Sequence, residues 1–154
     1  MTRMENIRDF LAQKRFAMVG VSRQPKDFSR ALFREFQTRE YQPVPVHPEV
    51  AEIDGAPCFA HLRDIQPPVD SVLLMTSPAV TNVLVQECVE AGVKRVWFYR
   101  GATPGALTAN ALEMCEANGI RTVAGECPFM FLDGTPWFHR FHGLVKKITG
   151  SYPR

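Results

Sequence analysis

Phe16-Ala-Met-Val-Gly-Val-Ser22 decides the fold. Its four apolar residues run into Gly20. Val21 and Ser22 then lead into a polar stretch, Arg23-Gln-Pro-Lys-Asp27, and an apolar-periodic segment starts at Phe28. The order is a buried strand, a tight glycine turn and a helix start. Such a turn gathers backbone N–H groups and the positive end of a helix at one mouth, where phosphates bind.

The same grammar repeats further along. Ser71-Val-Leu-Leu-Met-Thr76, Arg95-Val-Trp-Phe-Tyr99 and Ile120 to Ala124 are further apolar runs of strand length. Ser77-Pro78 and Thr103-Pro104 each offer a cap followed by proline at the first helical position. Ala91-Gly92 and Asn118-Gly119 offer glycine stops. Strands alternating with helices predict an α/β fold. The expected form is a Rossmann-like, doubly wound parallel sheet with helices on both faces, in three layers with right-handed crossovers.

Flanking segments complete the picture. Ile7, Phe10 and Leu11 predict an N-terminal helix over about residues 4–14, with Thr2 as its cap. Phe28, Ala31, Leu32 and Phe36 mark the buried face of the next helix, capped by Asp27 or Ser29. In Gln42-Pro-Val-Pro-Val-His-Pro48, Pro43 and Pro45 remove N–H groups along one lateral edge, so if this is a strand that edge pairs poorly or lies near the strand's start. Glu49 to Phe59 should be a loop with a short extended piece and a turn at Asp54-Gly55, and Ala60 to Ile65 one or two helical turns. Trp137, Phe138, Phe141, Leu144, Val145 and Ile148 share one face of a C-terminal amphipathic helix over about residues 136–149. That face packs on the sheet, or it docks a second copy or a partner protein. No linker divides the chain, so residues 1–154 are expected to form a single domain.

Bulk properties narrow the function. The 154 residues are 45% apolar and 22% charged, ordinary for a soluble globular chain. A net charge of +2 is too small to argue for nucleic-acid binding. No apolar run has signal-peptide or membrane-spanning length. Cys58, Cys88, Cys115 and Cys127 show no Cys-x-x-Cys spacing, so zinc and disulfides are not expected; reduced thiols in the cytoplasm are. His139 and His142 lack nearby acidic or cysteine co-ligands in sequence and are expected to be core or surface residues rather than metal ligands. Cys127 is expected to be buried.

Ligands of doubly wound sheets sit outside the carboxyl ends of the strands. Gly20-Val21-Ser22, Val46-His47-Pro48 and Thr76-Ser77 should therefore converge on one crevice, with Arg23 and Lys26 supplying charge for phosphate and Arg30 clustered beside them. A valine at Gly20 should block the approach of a pyrophosphate while leaving the fold intact. The G-x-G-x-x-G fingerprint is absent, and His47 stands where an acid would hold the ribose hydroxyls of NAD. The P-loop pattern is absent too. No nucleophile–base–orienter set can be assembled, so no catalytic residue is assigned.

Val19-Gly-Val-Ser22, Val44-Pro-Val-His-Pro48, Pro68-Val-Asp-Ser-Val72 and Gly92-Val-Lys-Arg-Val-Trp97 resemble, in order and spacing, the small CoA-binding domain proteins. Gly119 to Pro128 is similar to the end of the N-terminal domain of succinyl-CoA synthetase alpha subunits. The resemblance covers roughly Phe16 to Pro128. It implies a domain that holds the ADP part of coenzyme A or an acyl-CoA, without catalysis of its own. Gly20, Val21 and Ser22 would line the pyrophosphate, His47 and Pro48 would flank the adenosine, and Thr76 and Ser77 would close the far side. His47 departs from the family's usual asparagine, and the synthetases' phosphorylated histidine lies in a later domain absent here. Two alternatives stay open: an NAD(P)-binding oxidoreductase or redox sensor, and an interaction module with a decayed nucleotide site.

Overall fold

Five parallel strands form the sheet in the order β2-β1-β5-β6-β7. They are β1 (Arg15–Val19), β2 (Gln42–Val46), β5 (Ser71–Leu74), β6 (Arg95–Tyr99) and β7 (Arg121–Glu126). Between β2 and β5 lies a small antiparallel hairpin, β3 (Glu52–Ile53) and β4 (Ala56–Pro57). The helices are α1 (Arg3–Leu11), α2 (Phe28–Thr38), α3 (Pro78–Glu90) and α4 (Ala109–Ala117), with 3-10 turns at Leu62–Asp64 and Pro128–Phe131. The computed structural model describes residues 3–99 and 106–132. The caps expected at Thr2 and Thr103 and the C-terminal helix over 136–149, with His139 and His142, lie outside these residues.

Strand geometry explains the three layers. Successive side chains point to opposite faces. Phe16, Met18, Leu73 and Trp97 thus pack with α1 and α2 through Ile7, Phe10, Leu32, Phe33 and Phe36. Ala17, Val19, Val72, Leu74, Val96 and Phe98 face α3 and α4 through Leu84, Val85, Cys88, Ala111 and Cys115. The fold is the Rossmann-like α/β sandwich that the alternation predicts.

Several boundaries differ from the expected ones. The first helix stops at Leu11 because the Gln13 amide closes on the Phe10 carbonyl and its side chain on the Asp9 carbonyl. Along α2 the buried face is Leu32, Phe33 and Phe36, while Ala31 is exposed and Phe28 is 39% exposed. Strand β1 ends at Val19 and β5 at Leu74, so Val21 and Thr76 stand beyond their strands. The proline segment is a strand, β2, and it lies at the sheet edge rather than in the centre. Its outer side is partly filled, since Pro45 O accepts the Phe59 amide and the His47 amide donates to Phe59 O. Asp54 and Gly55 form the expected turn, both at positive φ (46° and 81°), and it joins β3 to β4. The described part of α4 begins at Ala109, with Thr108 accepting the Ala111 amide as its cap.

Candidate functional site

Register brings the candidate residues together. Val19 is paired with Val46 on one side and Leu74 on the other, so Gly20, His47 and Met75 follow side by side at the carboxyl edge. Here the strand order switches direction around β1, the place where doubly wound folds bind ligands.

Gly20 has φ +98°, and a Cβ on it would lie 2.5 Å from the Met75 carbonyl oxygen. Glycine is thus required by the contact between the β1 and β5 ends themselves. The expectation that valine would spare the fold is incorrect, because the clash is with backbone. Val21 is buried in the α1–α2 layer. The Ser22 amide donates to Ser29 Oγ at 2.8 Å, and Ser22 Oγ accepts the Gln24 amide at 3.0 Å. The turn is therefore braced by its own side chains.

Of the two possible caps of α2, Asp27 is the one used. It accepts both the Ser29 amide (2.9 Å) and the Ser29 hydroxyl (2.7 Å). A carboxylate already occupies the positive end of this helix. The next helix differs: Ser77 is the N-cap of α3 but makes no capping bond, and Pro78 stands in the first turn. An uncapped helix start thus lies directly after Met75-Thr76, against the Gly20 turn. Thr76 Oγ1 is bonded to the fully buried Thr81 Oγ1 at 2.8 Å.

Charge at the mouth is arranged differently from the basic cluster expected. Arg30 is 8% exposed and bidentate on Asp54, at 3.0 and 2.7 Å. Its remaining nitrogen donates to the Ser22 and Arg23 carbonyls. Arg34 also reaches Asp54 and the Pro25 carbonyl. Hydrogen bonding from Arg30, then from Arg34, outweighs burial and holds the Asp54 carboxyl below its ordinary value. Arg30 is a brace for the loop rather than a phosphate ligand. Lys26 is exposed, with no ion-pair partner among the described residues. Arg23 reaches across the mouth to Glu49, at 3.3 Å.

The second loop is also braced. His47 Nδ1 accepts the Glu49 amide at 3.0 Å, which leaves Nε2 as the ring nitrogen for a ligand. Pro48 is exposed, and Val46 is buried in the α3–α4 layer. On the far side, Phe28 packs tilted against Tyr99 and edge-on against Phe129, at centroid distances of 5.7 and 5.4 Å. Burial, then Cys127 and Asp27, push the Tyr99 phenol up to about 12.

Two features of this site escaped the sequence reading. An acid does stand near the end of the second strand: Glu49, three residues past Val46, paired with Arg23. The aromatic group of Phe28, Tyr99 and Phe129 joins three distant segments. Among the described residues no group of three or more His, Cys, Asp or Glu side chains could hold a metal, and no helix is long and apolar enough to cross a membrane. The four cysteines are free thiols.

With this geometry in place, similarity to known proteins is decisive. The family model described as CoA binding domain matches residues 14–133. The chain belongs to the CoA-binding domain family. The uncharacterized protein YneT of Bacillus subtilis is 25% identical over 114 residues, covering 74% of this chain and 82% of that one. A hypothetical protein from Pyrococcus horikoshii OT3 has a similar structure, with TM-score 0.74 and 27% identity over 83% of this chain and 87% of that one. A dinucleotide-forming acetyl-coenzyme A synthetase from Ca. Korarchaeum cryptofilum shares the fold at TM-score 0.61 and 19% identity. That similarity covers 71% of this chain and 25% of the synthetase.

Proposed function

We propose that this chain binds coenzyme A or an acyl-CoA through its ADP portion, without catalysing a reaction of its own. The observation that carries this reading is the adjacency of Gly20, His47 and Met75 at the switch point of the sheet, within a CoA-binding family domain. The pyrophosphate lies between the Gly20–Ser22 turn and the uncapped start of α3 at Ser77. Val46, His47 and Pro48 flank the adenosine. Arg23 and Lys26 supply charge, and Thr76 closes the far side. The cytoplasm suits four free thiols.

Glu49 favours a second reading. An acid just past the second strand is how nicotinamide dinucleotide sites hold ribose hydroxyls. NAD would then be the ligand.

Thermal melts separate the two. A ligand at a hundredfold excess over its dissociation constant adds about 2.7 kcal/mol. For a domain near this size that raises Tm by roughly 5–10 °C. CoA is expected to give a larger shift than NAD, NADP or ATP at equal concentration. A larger shift with NAD or NADP overturns the CoA reading. No shift with any ligand, and no ligand in native mass spectra of the purified protein, leaves the interaction-module reading.

A further inference from the structure

We propose that Asp54 is a positioning residue of the mouth: without touching the ligand, it turns the peptide groups of loop 22–26 so that their amides face the phosphates. The inference rests on the CoA reading and deepens it. It begins from the spacing of Arg30, Arg34 and Gln37, which lie on consecutive turns of one face of α2. All three close on the tip of the β3–β4 hairpin. Both arginines bond to the Asp54 carboxylate, and the Gln37 side-chain amide donates to the Asp54 carbonyl at 3.3 Å. Asp54 sits at φ 46°, a conformation that aspartate tolerates better than most residues.

Each arginine has a nitrogen left over, and these two nitrogens hold the loop. Arg30 Nη1 donates to the Ser22 and Arg23 carbonyls at 3.3 and 3.2 Å, and Arg34 Nη1 to the Pro25 carbonyl at 3.1 Å. Across a trans peptide bond the C=O of one residue and the N–H of the next point opposite ways. With the Ser22 and Pro25 carbonyls turned onto the arginines, the Arg23 and Lys26 amides point away from them. Neither amide has an acceptor among the described residues, whereas that of Gln24 is taken by Ser22 Oγ. Two outward amides in one short loop, beside the charges of Arg23 and Lys26, are donors for phosphate oxygens.

The arginines need the carboxylate for this. Asp54 grips Arg30 by two parallel bonds, 3.0 and 2.7 Å, and that fork fixes where the third nitrogen points. Without it, Arg30 is free to turn to a phosphate itself and to release the carbonyls. Positioning and plain charge therefore predict opposite signs. Asp54 is an anion near the mouth, so on charge alone its removal tightens a polyanionic ligand. On positioning, its removal weakens that ligand, because the loop must then be ordered when the ligand binds.

The probe is CoA. Its dissociation constant is measured by calorimetric titration for the wild-type chain, Asp54→Asn, Arg34→Lys and the control Asp9→Asn. Asp9 bonds to Arg95 and Arg121 at the starts of β6 and β7, the opposite edge of the sheet, so its variant matches both the change in charge and the loss of ion pairs. Asp54→Asn is expected to weaken CoA by about five- to thirtyfold, the factor for one loop residue ordered on binding. Arg34→Lys keeps the charge but loses the fork between Asp54 and Pro25. A loss of about two- to fivefold is expected from it, of the order of one hydrogen bond, and it carries the test if Asp54→Asn does not fold. Asp9→Asn leaves the constant unchanged. In amide NMR spectra of the wild-type chain, the Arg23 and Lys26 amide protons are expected to move downfield on saturation with CoA, and to move less in the two mouth variants. The inference is overturned, and the CoA reading survives, if wild type binds CoA but the folded mouth variants bind it as tightly or more tightly. The same follows if Asp9→Asn weakens CoA equally, or if the two amides do not move. If the wild-type chain does not bind CoA, the CoA reading itself fails, and the inference with it.

Discussion

Gly20 and Met75 meet so closely that the first carbon of any side chain on Gly20 would lie 2.5 Å from the Met75 carbonyl oxygen and 2.8 Å from its carbon. Backbone cannot yield as a flexible side-chain tip would. The positive φ of +98° adds strain for any L-residue. Gly20→Ala is therefore expected to cost about 2–4 kcal/mol, from overpacking and from the backbone conformation together. In a chain of this size that lowers Tm by roughly 5–15 °C. A differential melt of the ligand-free protein checks it. A variant that melts with the wild type would mean that the two strand ends move apart at little cost.

Asp54 supplies a pH dependence with a definite sign. Its carboxyl lies below the ordinary value of 3.8, chiefly because Arg30 donates to it, with Arg34 second. A depressed carboxylate stabilises the fold fully above its unfolded pKa. That stability is lost as pH falls below 3.8 through the lower folded value. Asp54→Asn is expected to flatten this part of the stability-against-pH curve. It also weakens the grip of Arg30 on the Ser22 and Arg23 carbonyls, and so loosens the loop at the mouth. Urea unfolding of both proteins between about pH 5 and pH 2 tests it. Parallel curves would rule out Asp54 as a source of acid lability. Asp9, held low chiefly by Arg95 in the same manner, contributes acid lability of the same sign.

What could be read in the sequence was local. The strands around Phe16–Val19, Ser71–Leu74 and Arg95–Tyr99 are continuous apolar runs between turn residues, and both faces of a parallel sheet require that. The Asp54-Gly55 turn was legible for the same reason. Partners distant in the chain were not. Arg30 and Asp54 are 24 residues apart, and no spacing rule pairs a helix arginine with a hairpin tip. Arg30 therefore looked like one of three equivalent cations. Phe28 looked like a core residue because it fits the helical period, yet at the first turn of α2 it leans out onto Tyr99 and Phe129. The candidate site was legible as three strand ends, while its charge pattern was not.

The thiols should differ in reactivity. Burial pushes Cys88 up to about 12 and Cys115 up to about 11, with nearby thiol and carboxylate groups adding to it. Burial also raises Cys58, but this thiol is only partly buried and bonds to the His47 carbonyl. Since the thiolate is the nucleophile, Cys88 and Cys115 should resist alkylation of the folded protein near pH 8. Cys58 should react well before either. Peptide mapping after a short iodoacetamide pulse reads this directly. If CoA binds as proposed, with its adenosine beside His47, prior saturation with CoA is expected to slow Cys58, since its sulfur bonds to the His47 carbonyl. Early labelling of Cys88 would contradict the packing of α3 on the sheet.

Charge at the mouth gives the last prediction. Arg23 is 62% exposed at its side chain, and Lys26 is exposed in the same loop. Neither supports the core, so reversing both to glutamate should change stability by no more than about 0.5 kcal/mol. The effect on a polyanionic ligand is different. Two favourable charges become two repulsive ones beside the Gly20–Ser22 turn, while Glu49 loses its partner. CoA affinity is expected to fall by about a hundredfold or more at low salt, two charge reversals acting on several phosphate charges. The loss should narrow as salt rises, because exposed charges are screened. Calorimetric titration at two ionic strengths, beside a melt of the ligand-free variant, separates loss of binding from loss of fold. An unchanged dissociation constant in the folded double variant would place the ligand's phosphates away from this loop, and would leave the uncapped start of α3 at Ser77 as the cradle to test next.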